Sequence, residues 1–178
     1  MSAINAAIAD AAGDVGLDYV VNAAGVALWE KDGSLVDIDL DVLDLTMNIN
    51  FMAPVHIVRC SVPHMRKRGG GAFVHISSIV GIRTMDNALT HGAMDAYQIS
   101  KTALISMSRA LALQEGIHNI RSNTVCPGSI WTPMTNEIYK DSNRVDTMAK
   151  RTPLQKVGTP KDVSEACLYL LSDRSKFI

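Results

Sequence analysis

Cysteine is scarce in this 178-residue chain. The three present, Cys60, Cys126 and Cys167, are odd in number and far apart, and no C-x-x-C occurs. That pattern argues against a disulfide framework or a zinc site and suits a reducing, cytoplasmic setting. The five histidines (His56, His64, His75, His91 and His118) form no H-x-x-x-H or H-x-x-E-H group, so no metal is expected. No apolar run reaches the roughly 18 residues that suggest a membrane span, and no membrane association is expected. The first 30 residues hold no Lys or Arg. They match neither the basic start of a secretory signal nor the Arg-rich pattern of a transit peptide. Seventeen basic residues stand against eighteen acidic ones, a formal net charge of −1. Nucleic acid held by bulk electrostatics is therefore not an expected partner.

Hydrophobic residues make up 47% of the chain and charged ones 20%. One domain spanning 1–178 is expected, burying roughly 70% of its unfolded surface. There is no internal repeat and no low-complexity tract. Helical and strand-like patterns alternate. Residues 2–12 are Ala-rich and helical. Residues 18–24 form a short apolar strand around Tyr19, Val20 and Val21. Residues 39–68 read as one long helix, or two abutting ones, bent or divided at Pro54. Arg66, Lys67 and Arg68 followed by Gly69, Gly70 and Gly71 form an ordinary helix ending. A phosphate or nucleic-acid patch is the weaker reading, because the glycines lead into a strand, whereas a phosphate loop leads into a helix. That second strand is 72–77, a helix follows at 95–115, and a third strand runs over 120–126. Residues 129–150 read as polar and irregular. Thr159, Pro160 and Asp162 mark the start of a last helix, with Val163, Ala166, Cys167 and Leu170 on its buried face. Strands alternating with helices predict a doubly wound parallel sheet with helices on both faces. Ligands in such sheets bind beyond the carboxyl ends of the strands.

Those strand ends carry unusual residues: Asn22-Ala23-Ala24-Gly25, Ser77-Ser78 and Pro127-Gly128-Ser129-Ile130-Trp131-Thr132. On the helix after the second strand, Tyr97 and Lys101 are four apart and share a face. A free tyrosine titrates near 10 and is a poor base at neutral pH. An ammonium one turn away favours the phenolate, which can then exchange a proton with an alcohol. A serine hydroxyl at a strand end can hold the same oxygen. Alone, Y-x-x-x-K also fits a surface aromatic-cation pair, and Ser77-Ser78 a plain strand-to-loop transition.

In this order the motifs are far more specific. N-A-A-G at 22–25, M-N-I-N at 47–50, I-S-S at 76–78, Y-x-x-x-K at 97–101 and N-x-x-x-P-G-x-I-x-T at 123–132 resemble the short-chain dehydrogenase/reductase family. Weaker similarity runs through L-x-x-x-G-T-P-x-D-V from Leu154 to Val163. The resemblance covers nearly the whole chain. It looks like the branch containing 3-oxoacyl carrier-protein reductases and many secondary-alcohol and dihydrodiol dehydrogenases. It implies a Rossmann-like fold and hydride transfer between NAD or NADP and a secondary alcohol or ketone. Tyr97 is then the acid/base, assisted by a cationic nicotinamide as well as by Lys101. Lys101 lowers the tyrosine pKa and holds the nicotinamide ribose, and Ser78 orients the substrate oxygen. Asn50 holds a relay water, with Asn48 as the weaker choice. Asn22, Ala23 and Gly25 let the backbone pass close to the cofactor. Pro127, Gly128, Ile130 and Thr132 frame the nicotinamide, with Thr132 bonding its carboxamide. A homodimer or homotetramer through helices 39–68 and 95–115 follows from the same resemblance.

Two departures stand out. Ser78 and Tyr97 are 19 positions apart, longer than the family spacing. Thr84 sits nearer the usual distance and is the second candidate for the hydroxyl. His91, in the lengthened segment, reads as an exposed loop histidine at the substrate mouth rather than as a second acid/base. The family's T-G-x-x-x-G-x-G turn is absent, as is the strand that selects NAD or NADP. The expectation is the catalytic segment of a truncated Rossmann-like dehydrogenase, lacking the first strands and the last one. Its bare sheet edge would make an isolated monomer marginal. The competing expectation is a catalytically inactive paralogue that serves as a binding or dimerisation module.

Overall fold

The structure, a computed structural model, describes residues 2–84 and 92–178. Three parallel strands form one sheet in the order β1-β2-β3: β1 (Tyr19–Asn22), β2 (Gly71–Ile76) and β3 (Ile120–Val125). Asn22 pairs with His75, and Ile76 with Val125, so the carboxyl ends of the strands lie side by side. Helix α1 (Ser2–Ala12) leads into β1. Between β1 and β2 run α2 (Leu40–Met47), a π-helical turn (Asn48–Met52) and α3 (Ala53–Arg68). Helix α4 (Asp95–Glu115) precedes β3, and α5 (Asn136–Tyr139), α6 (Ser142–Lys150) and α7 (Pro160–Leu171) follow it.

Three expectations shift here. The helical run over 39–68 is divided by the π-helical turn, with Pro54 following it in the first turn of α3. The strand predicted over 18–24 is only Tyr19–Asn22. The stretch 129–150 is not irregular: it holds a 3-10 turn (Pro133–Thr135) and then α5 and α6, whose start is capped by Asp141 accepting from the Asn143 amide at 2.9 Å. The start of α7 is as expected, with Thr159 and Asp162 forming a capping box.

Phe73 and Ile120 on the sheet pack against Met65 of α3 and Leu111 of α4. Ser108 of α4 and Ser122 of β3 are joined by a buried hydroxyl–hydroxyl bond of 2.9 Å. Helix α7 packs against β2 and β3. The glycine run ends α3: Gly69 is left-handed, at φ 89°, and a Cβ on Gly70 would meet Asn119 at 2.7 Å. Along β1, Tyr19 and Val21 stay 54% and 46% exposed, a bare edge. Arg66 of α3 grips Glu115 of α4 through two N–H groups, at 2.8 and 2.6 Å. No described helix is long and apolar enough to cross a membrane.

Candidate active site

A cavity of about 690 Å³ opens at the carboxyl end of the sheet. All three strand-end motifs reach it, through Gly25, Ser78 and Pro127 among others. The strand ends are tied together beyond the sheet. The Ser77 amide donates to Val125 O at 2.8 Å, and the Ile79 amide to Pro127 O at 2.9 Å. Ser78 is held between them in extended backbone, and its hydroxyl accepts from the Val80 amide at 3.4 Å.

Tyr97 reaches the cavity from the first turn of α4, and Ser78 is the side chain whose hydroxyl acts on its phenol. Thr84 also lines the cavity, but its hydroxyl is met by Gln98 Nε2 at 3.4 Å. Lys101, one turn on, is 5% exposed. Its Nζ lies 5.6 Å from the centre of the Tyr97 ring and donates to Ile76 O at 3.0 Å. The helix is pressed onto the second strand end. Ser77 donates to Lys101 O at 2.7 Å, and a Cβ on Gly81 would lie 2.9 Å from that same carbonyl.

The electrostatics differ from the sequence expectation. The Tyr97 phenol is held above its ordinary value. Burial penalises phenolate, and the hydrogen bond with Ser78 only partly opposes it. Burial also lowers Lys101 to about 8. The described groups therefore do not themselves depress the tyrosine. At neutral pH both retain their protons.

Asn50 is fully buried in the π-helical turn, a helix defect that recurs at functional sites. Its Oδ1 accepts from the Val26 amide at 2.8 Å, while its Nδ2 donates to Val26 O at 2.9 Å and to Ser100 Oγ at 3.0 Å. The Ser100 hydroxyl donates to Tyr97 O at 2.7 Å, so Asn50 is linked to the helix that carries Tyr97. A Cβ at Gly25 would stand 3.1 Å from Lys101 Nζ and 3.3 Å from Asn50 Oδ1. Glycine is what lets the first strand end approach both groups.

Ala23, Gly25, Pro127, Gly128, Ile130 and Thr132 all line the cavity. Asn22 does not share that position. Its side chain lies buried between β1 and β2, with Nδ2 3.5 Å from His75 Nδ1. Thr132 caps the Pro133–Thr135 turn, its Oγ1 3.2 Å from Thr135 Oγ1. The 127–132 segment is braced by Gly158, whose carbonyl accepts from the Trp131 amide at 2.9 Å. His91 lies outside the described residues. Sequence reasoning missed Ser100, which no motif marks, and Trp29. Trp29 lines the cavity and donates from its indole N–H to Met134 O at 2.9 Å.

The nicotinamide half of a dinucleotide suits this cavity. Small residues line one wall, and Gly25 occupies a place that a side chain would fill. Comparisons with known proteins agree. The family model described as Enoyl-(Acyl carrier protein) reductase matches residues 1–178. Oxidoreductase UcpA of Salmonella typhimurium is 32% identical over 184 residues, covering 99% of this chain and 67% of that protein. The 3-oxoacyl-[acyl-carrier-protein] reductase FabG of Thermotoga maritima is 32% identical over 162 residues, covering 91% and 61%. Dehydrogenase/reductase SDR family member 4 of Pongo abelii, also 32% identical, is matched over 56% of its length. The chain thus spans between 56% and 67% of these relatives. A solved structure of ElxO with NADP bound superposes with a TM-score of 0.86 at 28% identity, covering 98% of this chain and 68% of that one. With its sheet, its strand-end motifs and its relatives in agreement, the chain belongs to the short-chain dehydrogenase/reductase family.

Proposed function

We propose that this chain carries the catalytic machinery of an NAD(P)-dependent oxidoreductase acting on a secondary alcohol or ketone. The observation that supports it is the convergence of Ser78, Tyr97 and Lys101 in one buried cavity beside Gly25. The Ser78 hydroxyl donates to the substrate oxygen and holds it beside the phenol. Tyr97 gives its proton to that oxygen in reduction and takes it back in oxidation. Lys101 and Asn50 flank Gly25, where they secure the ribose side and the path by which the proton is replaced. Ala23, Gly25, Pro127, Gly128, Ile130 and Thr132 form the nicotinamide wall. When bound, the nicotinamide would exchange the hydride and, when oxidised, would add its positive charge to that of Lys101. As in the family, pairing into a homodimer or homotetramer runs through α2–α3 and α4, where Leu113 is 84% exposed; light scattering reads the mass.

Replacing Tyr97 with Phe in the complete enzyme tests the reading. Turnover, followed by nicotinamide absorbance, should fall by at least about 100-fold, with cofactor affinity nearly unchanged. Near-normal turnover would remove Tyr97 from its role. Binding of NADH or NADPH by this chain counts against an inactive binding module, and failure to bind leaves the enzyme reading standing only for a longer chain.

A further inference from the structure

Helix α4 starts without a cap of its own. Met94, at its N-cap position, makes no side-chain capping bond. The first amides of a helix have no intrahelical partner and must find one elsewhere. Here they find it in the loop after β1. The Asp95 amide donates to Gly33 O at 3.2 Å. The Ala96 amide donates to Asp32 Oδ1 at 3.1 Å, and the Tyr97 amide to Asp32 Oδ2 at 2.9 Å. Oδ1 also accepts from the Gly33 amide at 2.8 Å. The exchange is mutual, because Asp95 Oδ2 accepts from the Leu35 amide at 2.9 Å.

We propose that Asp32 is a positioning residue, whose carboxylate fixes where α4 begins and so where the Tyr97 phenol meets Ser78. The proposal rests on the active-site reading of Tyr97. Lys101 is anchored separately, through its own bond to Ile76 O. Tyr97 lies in the first turn, the part of a helix that frays first. Its own amide is one of the two that Asp32 holds. Losing the carboxylate therefore frees Tyr97 while Lys101 stays in place. The same loop carries Trp29 against Met134, so its attachment to α4 also joins the cavity mouth to the helix.

The test is made on this chain with ring-labelled tyrosine, so it does not depend on turnover. Asp32→Ala, Asp32→Asn and a control, Asp39→Ala, are compared with the unaltered chain. Asp39 caps α2 through the Asp41 amide at 2.9 Å, a comparable cap placed elsewhere. In Asp32→Ala, hydrogen exchange at the Tyr97 amide should quicken by about tenfold, the scale of a lost N-cap. The Tyr97 ring should titrate closer to an ordinary tyrosine as water reaches it. Asp32→Asn, which keeps only one of the two acceptor oxygens, should preserve part of the protection, and Asp39→Ala should change neither signal. Unaltered Tyr97 exchange and titration in Asp32→Ala would overturn the proposal, as would an equal change in Asp39→Ala. If Tyr97→Phe leaves turnover intact, the active-site reading fails on that count alone, whatever the exchange data show.

Discussion

His75 should make this fold acid-labile in a way that one substitution removes. The side chain is fully buried in β2, stacked on Phe73 at 5.8 Å, and its Nε2 has no hydrogen-bond partner among the described residues. Burial alone lowers it from 6.5 to about 4. The folded state therefore keeps His75 neutral over a window in which the unfolded chain takes up a proton. Above pH 6.5 both states are neutral and nothing is lost. As pH falls from there towards 4, the unfolded state binds more protons and stability drops. At about 1.4 kcal/mol per pH unit of difference, this one site withdraws about 3 kcal/mol across the window. That is a large share of a stability of roughly 5–15 kcal/mol.

Urea unfolding followed by circular dichroism at steps between pH 7 and pH 4 measures the slope. His75→Gln keeps an amide beside Asn22 and cannot titrate in this range. The carboxylates are common to both chains, so the difference between the two slopes isolates the histidine. The original chain should lose about 3 kcal/mol more than the variant. Parallel slopes would refute the reasoning, as would an imidazole resonance titrating near its ordinary value.

Two further outcomes follow from the same packing. Gly81→Ala places a Cβ 2.9 Å from the Lys101 backbone and Ser77 Oγ; it should destabilise the fold by about 1–3 kcal/mol, read as a lowered urea midpoint. Lys101 titrates at about 8 in the fold against 10.5 when free. The unfolded state thus binds more protons between those values, so stability should rise as pH climbs from 8 towards 10, a gain that Lys101→Met abolishes in the same unfolding assay.

Much of this was legible in advance because the signals are local. The end of α4 follows from Gly116 just beyond Glu115. The start of α7 follows from Thr159, Pro160 and Asp162, which satisfy one another within three residues. Ser78, Tyr97 and Lys101 were legible as chemistry because each follows or faces a strand end. Helices α5 and α6 were not, since they are short and polar and the cap of α6 is a single aspartate. The π-helical turn leaves no compositional trace, so the sequence points to the nearby Pro54 as the place of division. Asp32 was invisible for a different reason. The amides it caps lie 64 and 65 positions away, and only the folded chain brings them together.

The two shifts in the site bear on direction. Burial raises the Tyr97 phenol and lowers the Lys101 ammonium to about 8. Near pH 7 the tyrosine is therefore an intact proton donor, and the lysine, still below its titration point, remains charged. Under the proposed chemistry that is the state needed to protonate the oxygen of a ketone as it is reduced. Oxidation instead requires phenolate, which burial disfavours and which the Ser78 bond only partly restores. Raising the pH towards phenolate also carries it through about 8, where Lys101 titrates. Under the proposed chemistry the proton arrangement thus suits reduction near neutrality, and the positive charge of an oxidised cofactor would add to that of Lys101 in favouring phenolate.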